Sequence, residues 1–133
     1  MSQENVEVVR VFFDARNRRD LDALLACLSA DAQFDLSESR SPYRGRYVGH
    51  EQVRRVFEDL FEAWENFELS LEDPVEAGDQ VVVSVLVRAS GRGSGVQLQG
   101  QGANVFTVRN GEIVGFRLFQ SRDQALEAAG LSE

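Results

Sequence analysis

One hundred and thirty-three residues make one compact domain and are too few for two cores, while a hydrophobic share of 43% and a charged share of 27% exclude a disordered or fibrous chain. Fourteen cationic side chains against 22 acidic ones leave a net charge of −8, which repels phosphate backbones and anionic lipid, so neither nucleic acid nor a membrane is an expected partner. Every cation is an Arg, and the absence of Lys excludes Schiff-base chemistry, a pyridoxal anchor and a Walker-type phosphate loop. One Cys (Cys27) and one His (His50) cannot build a disulfide or a His-rich metal centre, so no metal and no cofactor are expected. The polar start MSQENVEVVR and the lack of any run near ~20 apolar residues predict a cytoplasmic protein.

Between Glu4 and Arg19, polar Glu7, Arg10, Asp14 and Arg18 recur every three or four residues while Val8, Val9, Phe12, Phe13 and Ala15 fill the other arc, which predicts a half-buried helix. Asp20 is placed to cap a second helix with the stripe Leu21, Leu24, Leu25 and Leu28. Ala32–Leu36 reads as a brief strand, and 37–47, carrying Pro42 and Gly45, as a loop. From His50 to Trp64 the apolar residues Val53, Val56, Phe57, Leu60, Phe61 and Trp64 follow helical spacing, with Arg54–Glu58 and Arg55–Asp59 as surface pairs four apart.

The period then changes to two. Phe67, Leu69 and Leu71 alternate with polar neighbours, and Gln80–Arg88, Val96–Val108 and Glu112–Gln120 continue as strands. The short separators Ala77-Gly78-Asp79, Ser90–Gly95 and Asn110-Gly111 predict antiparallel neighbours, the last pair joined by a type I′ turn. Ser121-Arg122-Asp123-Gln124 is a capping box opening a final helix that Gly130 can close. The order predicts an α+β fold with helices on one face of a bent sheet.

The stretches DLDALLACLSADAQF, YRGRYVGHEQVRRVF, ANVFTVRNGEIVGFRLF and ALEAAGL, in this order, resemble the SnoaL-like branch of the nuclear-transport-factor-2-like superfamily over nearly the whole chain. The resemblance implies a single domain over 1–133. Its fold would be a cystatin-like cone, a strongly bent, mostly antiparallel sheet wrapped by three helices around an internal pocket, plus a short C-terminal helix. Homodimers through the outer sheet face are also implied. Relatives include ketosteroid isomerases, polyketide cyclases, epoxide hydrolases and dehydratases, so the fold does not select a reaction. The isomerase pattern of a Tyr and two Asp falls on Phe12, Leu36 and Asn104 here, and the cyclase pattern of a His and an Asp falls on Asn104 and Leu118. None of these positions carries the family's titratable group.

The implied pocket lining is therefore apolar, with Phe12, Leu36, Trp64, Phe106, Phe116 and Leu118 around Asn104, whose amide can donate and accept. Asp35 is the acid of the first strand, sent outward by alternation with Phe34 and Leu36. Tyr43, Arg44, Arg46 and Tyr47 lie where the family places the pocket mouth, to gate entry, to hold an acidic ligand tail or to form a dimer contact. His50 reads as a residue of a first helical turn, and the 91–95 glycine run, placed between strands, as a hairpin tip and not a phosphate cradle. Two functions follow. One is a binding protein for a mostly apolar metabolite without acid–base turnover. The other is an atypical cyclase, isomerase or hydrolase using Asn104 with Tyr43 or Asp35. The apolar Val81–Val87 run predicts a homodimer, because its outer side chains need cover.

Overall fold

The computed structural model describes residues 3–38, 43–93 and 95–131; Pro42 and Ser94, both read as loop residues, lie outside them. In chain order the elements are α1 (Gln3–Asn17), α2 (Leu21–Ala26), β1 (Leu28–Asp35), β2 (Arg46–Val48), α3 (Gly49–Ala63), β3 (Trp64–Ala77), β4 (Gln80–Gly91), β5 (Gln97–Arg109), β6 (Glu112–Phe119) and α4 (Arg122–Ala128). The strands form one open, curved sheet in the order β2-β1-β6-β5-β4-β3, antiparallel throughout except for the β1–β6 pair. The fold is α+β.

Local chemistry sets most boundaries. The Asp20 side chain accepts from the N–H of Ala23 and starts α2. Asn110 and Gly111 both take positive φ, 53° and 78°, as a type I′ turn requires. Ser121 accepts from the N–H of Gln124, while the Gln124 side chain reaches back to the N–H of Gln120, one residue before the cap. At the other end of α4, Gly130 donates to Glu127 O and Leu131 to Leu126 O, a Schellman closure.

Tertiary pairing moves the remaining boundaries. β1 begins at Leu28 because that residue pairs with Ile113, across an irregularity that restores register at Gln33 and Gly115. Leu28 thus enters the core from a strand and not from the α2 stripe. Arg46–Val48, expected in a loop, pairs with Gln33–Asp35 as a three-residue edge strand. β3 runs on through Pro74, which an edge strand tolerates where its register breaks between Glu72 and Val75. On α3, Arg54 pairs with Glu58 at 3.9 Å and with Asp22 at 3.0 Å, whereas Arg55 turns to Glu51 and not to Asp59.

Two side chains of the turn after α1 hold the helices to the sheet. Asn17 donates to Leu69 O and accepts from Leu69 N, a two-bond clamp on β3. Arg19 donates to Phe61 O in the last turn of α3 and to Trp64 O just past it, both at 2.7 Å, and Arg92 adds a bond at Glu62 O. The concave face of the sheet buries the main core against α1, α2 and α3. On the convex face, Val82, Ala103, Val105 and Phe119 are covered by Ala125 and Leu126 of α4. The chain itself therefore supplies the cover that the sequence led us to expect from a second copy, at least for Val82.

Candidate pocket in the cone

Strand parity decides which side chains meet inside the cone. Asn104 on β5 lies opposite Leu118 on β6 and Val83 on β4, and one pair deeper Phe106 lies opposite Phe116. At that deeper level the space is filled: Phe106 sits 5.6 Å from both Phe12 and Phe13 and 5.0 Å from Phe116, in edge-to-face pairs. One level up, the walls part and leave a cavity of about 150 Å³. Leu36, Phe116, Leu118 and Asn104 line it from the sheet, Val53, Phe57 and Leu60 from α3, and Tyr43 and Tyr47 from the mouth. Shallower hollows on the convex face, around Glu68, Leu86, Arg88 and Gln99, are larger but open and polar.

Three residues expected in the lining are not in it. Phe12 and Phe106, both 0% exposed, form the packed floor below the cavity. Trp64 starts β3 and packs edge-on at 5.7 Å against Phe67, and it is Phe67 that faces the cavity. Parity and the family's positions sort inward from outward but do not say how deep an inward ring sits.

Asn104 is 2% exposed and belongs to the cavity wall; among the described residues no hydrogen bond engages its side-chain amide. Asp35 stands outside the cavity. Although burial alone would raise its pKa, hydrogen bonds from the Ser37 side chain and N–H, with Arg46 and Arg117 nearby, hold its carboxyl below the ordinary value. A half-buried carboxylate outside the cavity, tied to its own strand end and held below its ordinary pKa, is no base for a ligand in the cone. Tyr43 does line the cavity, and burial together with the charge of Asp59 pushes its phenol up, so it is a proton donor and not a base at neutral pH. The Tyr47 hydroxyl donates to Tyr43 O at 2.8 Å and ties the mouth together, with Arg44 and Arg46 exposed beside it. His50 tethers α3 to β1 through Nε2 and Leu28 O, 3.0 Å apart, so that nitrogen carries the hydrogen.

Arg16 also reaches the cavity. It follows Val9, Phe12 and Phe13 at helical spacing, seven, four and three residues on, so it continues the buried stripe of α1, and its side chain ends at the cavity. Its guanidinium carbon lies 5.0 Å from the ring centre of Phe57 and 5.3 Å from that of Phe67. Burial pushes its pKa down to about 10, which leaves it cationic at neutral pH. A charged residue in register with an apolar helical stripe was the available signal.

A family model for the SnoaL-like domain matches residues 9–116. The chain belongs to the SnoaL-like domain family. Solved structures similar to this SnoaL-like chain include a nuclear-transport-factor-2-like protein of unknown function from Burkholderia pseudomallei, 25% identical, with a TM-score of 0.79 over 93% of this chain and 95% of that one. Another is a protein provisionally called a polyketide cyclase from Xanthomonas campestris, 23% identical, TM-score 0.73, covering 92% of this chain and 93% of that one. A third is an epoxide hydrolase from M. tuberculosis, 18% identical, TM-score 0.73, with 90% and 84% covered. At these identities the likenesses establish the nuclear-transport-factor-2-like fold and no reaction. Among curated proteins none matches this sequence. Among the described residues, no group of three or more His, Cys, Asp and Glu side chains could hold a metal ion, and no helix is long and apolar enough to cross a membrane.

Proposed function

We propose that this SnoaL-like chain binds a small, mostly apolar molecule in its cone, with the Asn104 amide bonding a carbonyl or hydroxyl of the ligand and without the acid–base turnover of its isomerase and cyclase relatives. The observation that carries this reading is a mostly apolar cavity walled in part by Asn104, a buried residue whose amide has no hydrogen-bond partner among the described residues. A buried polar group left unpaired costs about 1–3 kcal/mol, which a ligand oxygen would recover. General acid–base catalysis needs a group poised to exchange a proton near the working pH. The described wall offers no carboxylate and no imidazole, with leucines at the positions matching two of the family's acids.

The test is binding of single-ring ketones and alcohols, acetophenone and cyclohexanol, measured by calorimetry on the wild type and on Asn104→Leu. The variant is expected to keep its melting profile and to bind acetophenone at least about tenfold more weakly. Unfolding by that substitution would make the amide a structural strut, and unchanged affinity would remove it from the site. Robust isomerisation of a steroid enone, or turnover of an anthracycline-type polyketide, would overturn the non-catalytic reading.

The proposal extends to self-association through the part of the outer sheet face that α4 leaves bare, where Leu86 is 38% exposed opposite Gln101 and Ser70. Light scattering at micromolar concentration is expected to give twice the chain mass, and a monomer would refute it.

A further inference from the structure

Arg16 is the one charged side chain among the described residues lining the cavity. Its Nε is buried without a hydrogen-bond partner, and among the described residues no carboxylate lies within ion-pair distance of its guanidinium. Holding a half-buried cation without a counter-charge is costly, and the rings of Phe57 and Phe67 return only part of that cost. The same helix end shows what a structural arginine looks like in this protein. Arg19, three residues on, also stacks on a ring, Phe61 at 5.2 Å, but its guanidinium is satisfied by two carbonyls at 2.7 Å. Arg16 has the stacking and lacks the acceptors.

We propose that Arg16 is a ligand-binding residue and that the cavity takes apolar carboxylic acids of about one ring in size, the carboxylate pairing with the Arg16 guanidinium while the hydrocarbon part fills the space between Phe34, Val53, Leu60 and Phe116. This rests on the reading of the cone as a ligand pocket, though not on the role given to Asn104. The planar donor fork of a guanidinium matches the two oxygens of a carboxylate. The two flanking rings hold that fork in place before the ligand arrives, which lowers the cost of ordering it. Size follows from the volume, since a cavity of about 150 Å³ accommodates a benzene ring. The net charge of −8 does not oppose this, because surface carboxylates farther than ~8 Å are screened at physiological salt, and the exposed residues beside the mouth tyrosines include Arg44 and Arg46.

The experiment is calorimetry at pH 7 with 3-phenylpropionate and cyclohexanecarboxylate, each against its own primary amide, on the wild type and on Arg16→Met. The acids are expected to bind the wild type at least about tenfold more tightly than the amides, and the variant to lose that preference while still binding the amides. In the absence of ligand, Arg16→Met is expected to melt at or above the wild-type temperature, since a half-buried charge without a counter-ion has been removed. Equal affinity of acid and amide for the wild type would overturn the assignment and leave the pocket reading standing. Failure of acids and amides alike to bind the wild type would overturn both.

Discussion

The floor of the cone and the cavity above it are built from the same helix and the same strands, yet they are different kinds of interior. In the floor, Phe12, Phe13, Phe106 and Phe116 meet at ring distances of 5.0–5.7 Å. One pair of residues higher on β5 and β6, and one turn further along α1, the walls separate and two polar side chains, Asn104 and Arg16, line the gap, the Nε of Arg16 buried without a partner. Apolar surface packed to crystal-like density is a contribution to stability. Apolar surface left facing a gap, with a buried donor unsatisfied, is stability withheld, and such withholding is characteristic of sites that must receive something.

Four substitutions break or sharpen that contrast. The largest loss is expected in the floor: Phe106→Ala should destabilise by about 3–5 kcal/mol, read from the urea midpoint, because ring partners on three sides cannot collapse into the hole. Asn17→Ala, which frees β3 from α1 beside the cavity, should cost about 1–3 kcal/mol for two backbone bonds lost at Leu69. Leu118→Phe probes the opposite case. Overpacking costs about 1–3 kcal/mol in a filled core, but this side chain borders empty space, so its stability should stay within about 1 kcal/mol of wild type while acetophenone binding disappears. A cost as large as in a filled core would mean that the cavity wall has no slack.

The smallest effect belongs to Asp35, outside both regions. Its carboxyl titrates below its ordinary value, so the stability it contributes is present above the ordinary carboxylate pKa and is lost as pH falls through the lowered one. Because Arg46 is exposed, the contribution is at most about a few tenths of a kcal/mol. Asp35→Asn should remove a slight acid sensitivity in urea midpoints compared between pH 5 and pH 2, and should leave ligand binding unchanged. A change in binding would bring Asp35 back into the site.

Much of this was legible in the residues themselves. Alternation placed Asn104 with Phe106, and Phe116 with Leu118, on one inward face, and turn and cap chemistry at Asn110-Gly111, Ser121 and Gly130 marked the last hairpin and helix, because these features depend on one residue and its near neighbours. The strand at Arg46–Val48 carried no such mark. Its three residues become a strand only because β1 offers a free edge.

The chain's own order of periods, helical and then alternating, with short turns between, determined an α+β fold with helices on one face of a bent sheet, and its resemblance to the SnoaL-like family marked Leu36, Asn104 and Leu118 as replacements of that family's titratable groups. Tertiary structure alone decided that Phe12 and Phe106 are floor and not lining, that α4 covers Val82, and that Arg16 ends between two rings without a counter-charge. The physical reason is that periodicity reports the direction of a side chain from its own backbone, whereas depth, void and charge pairing depend on what three or four other elements bring to the same point.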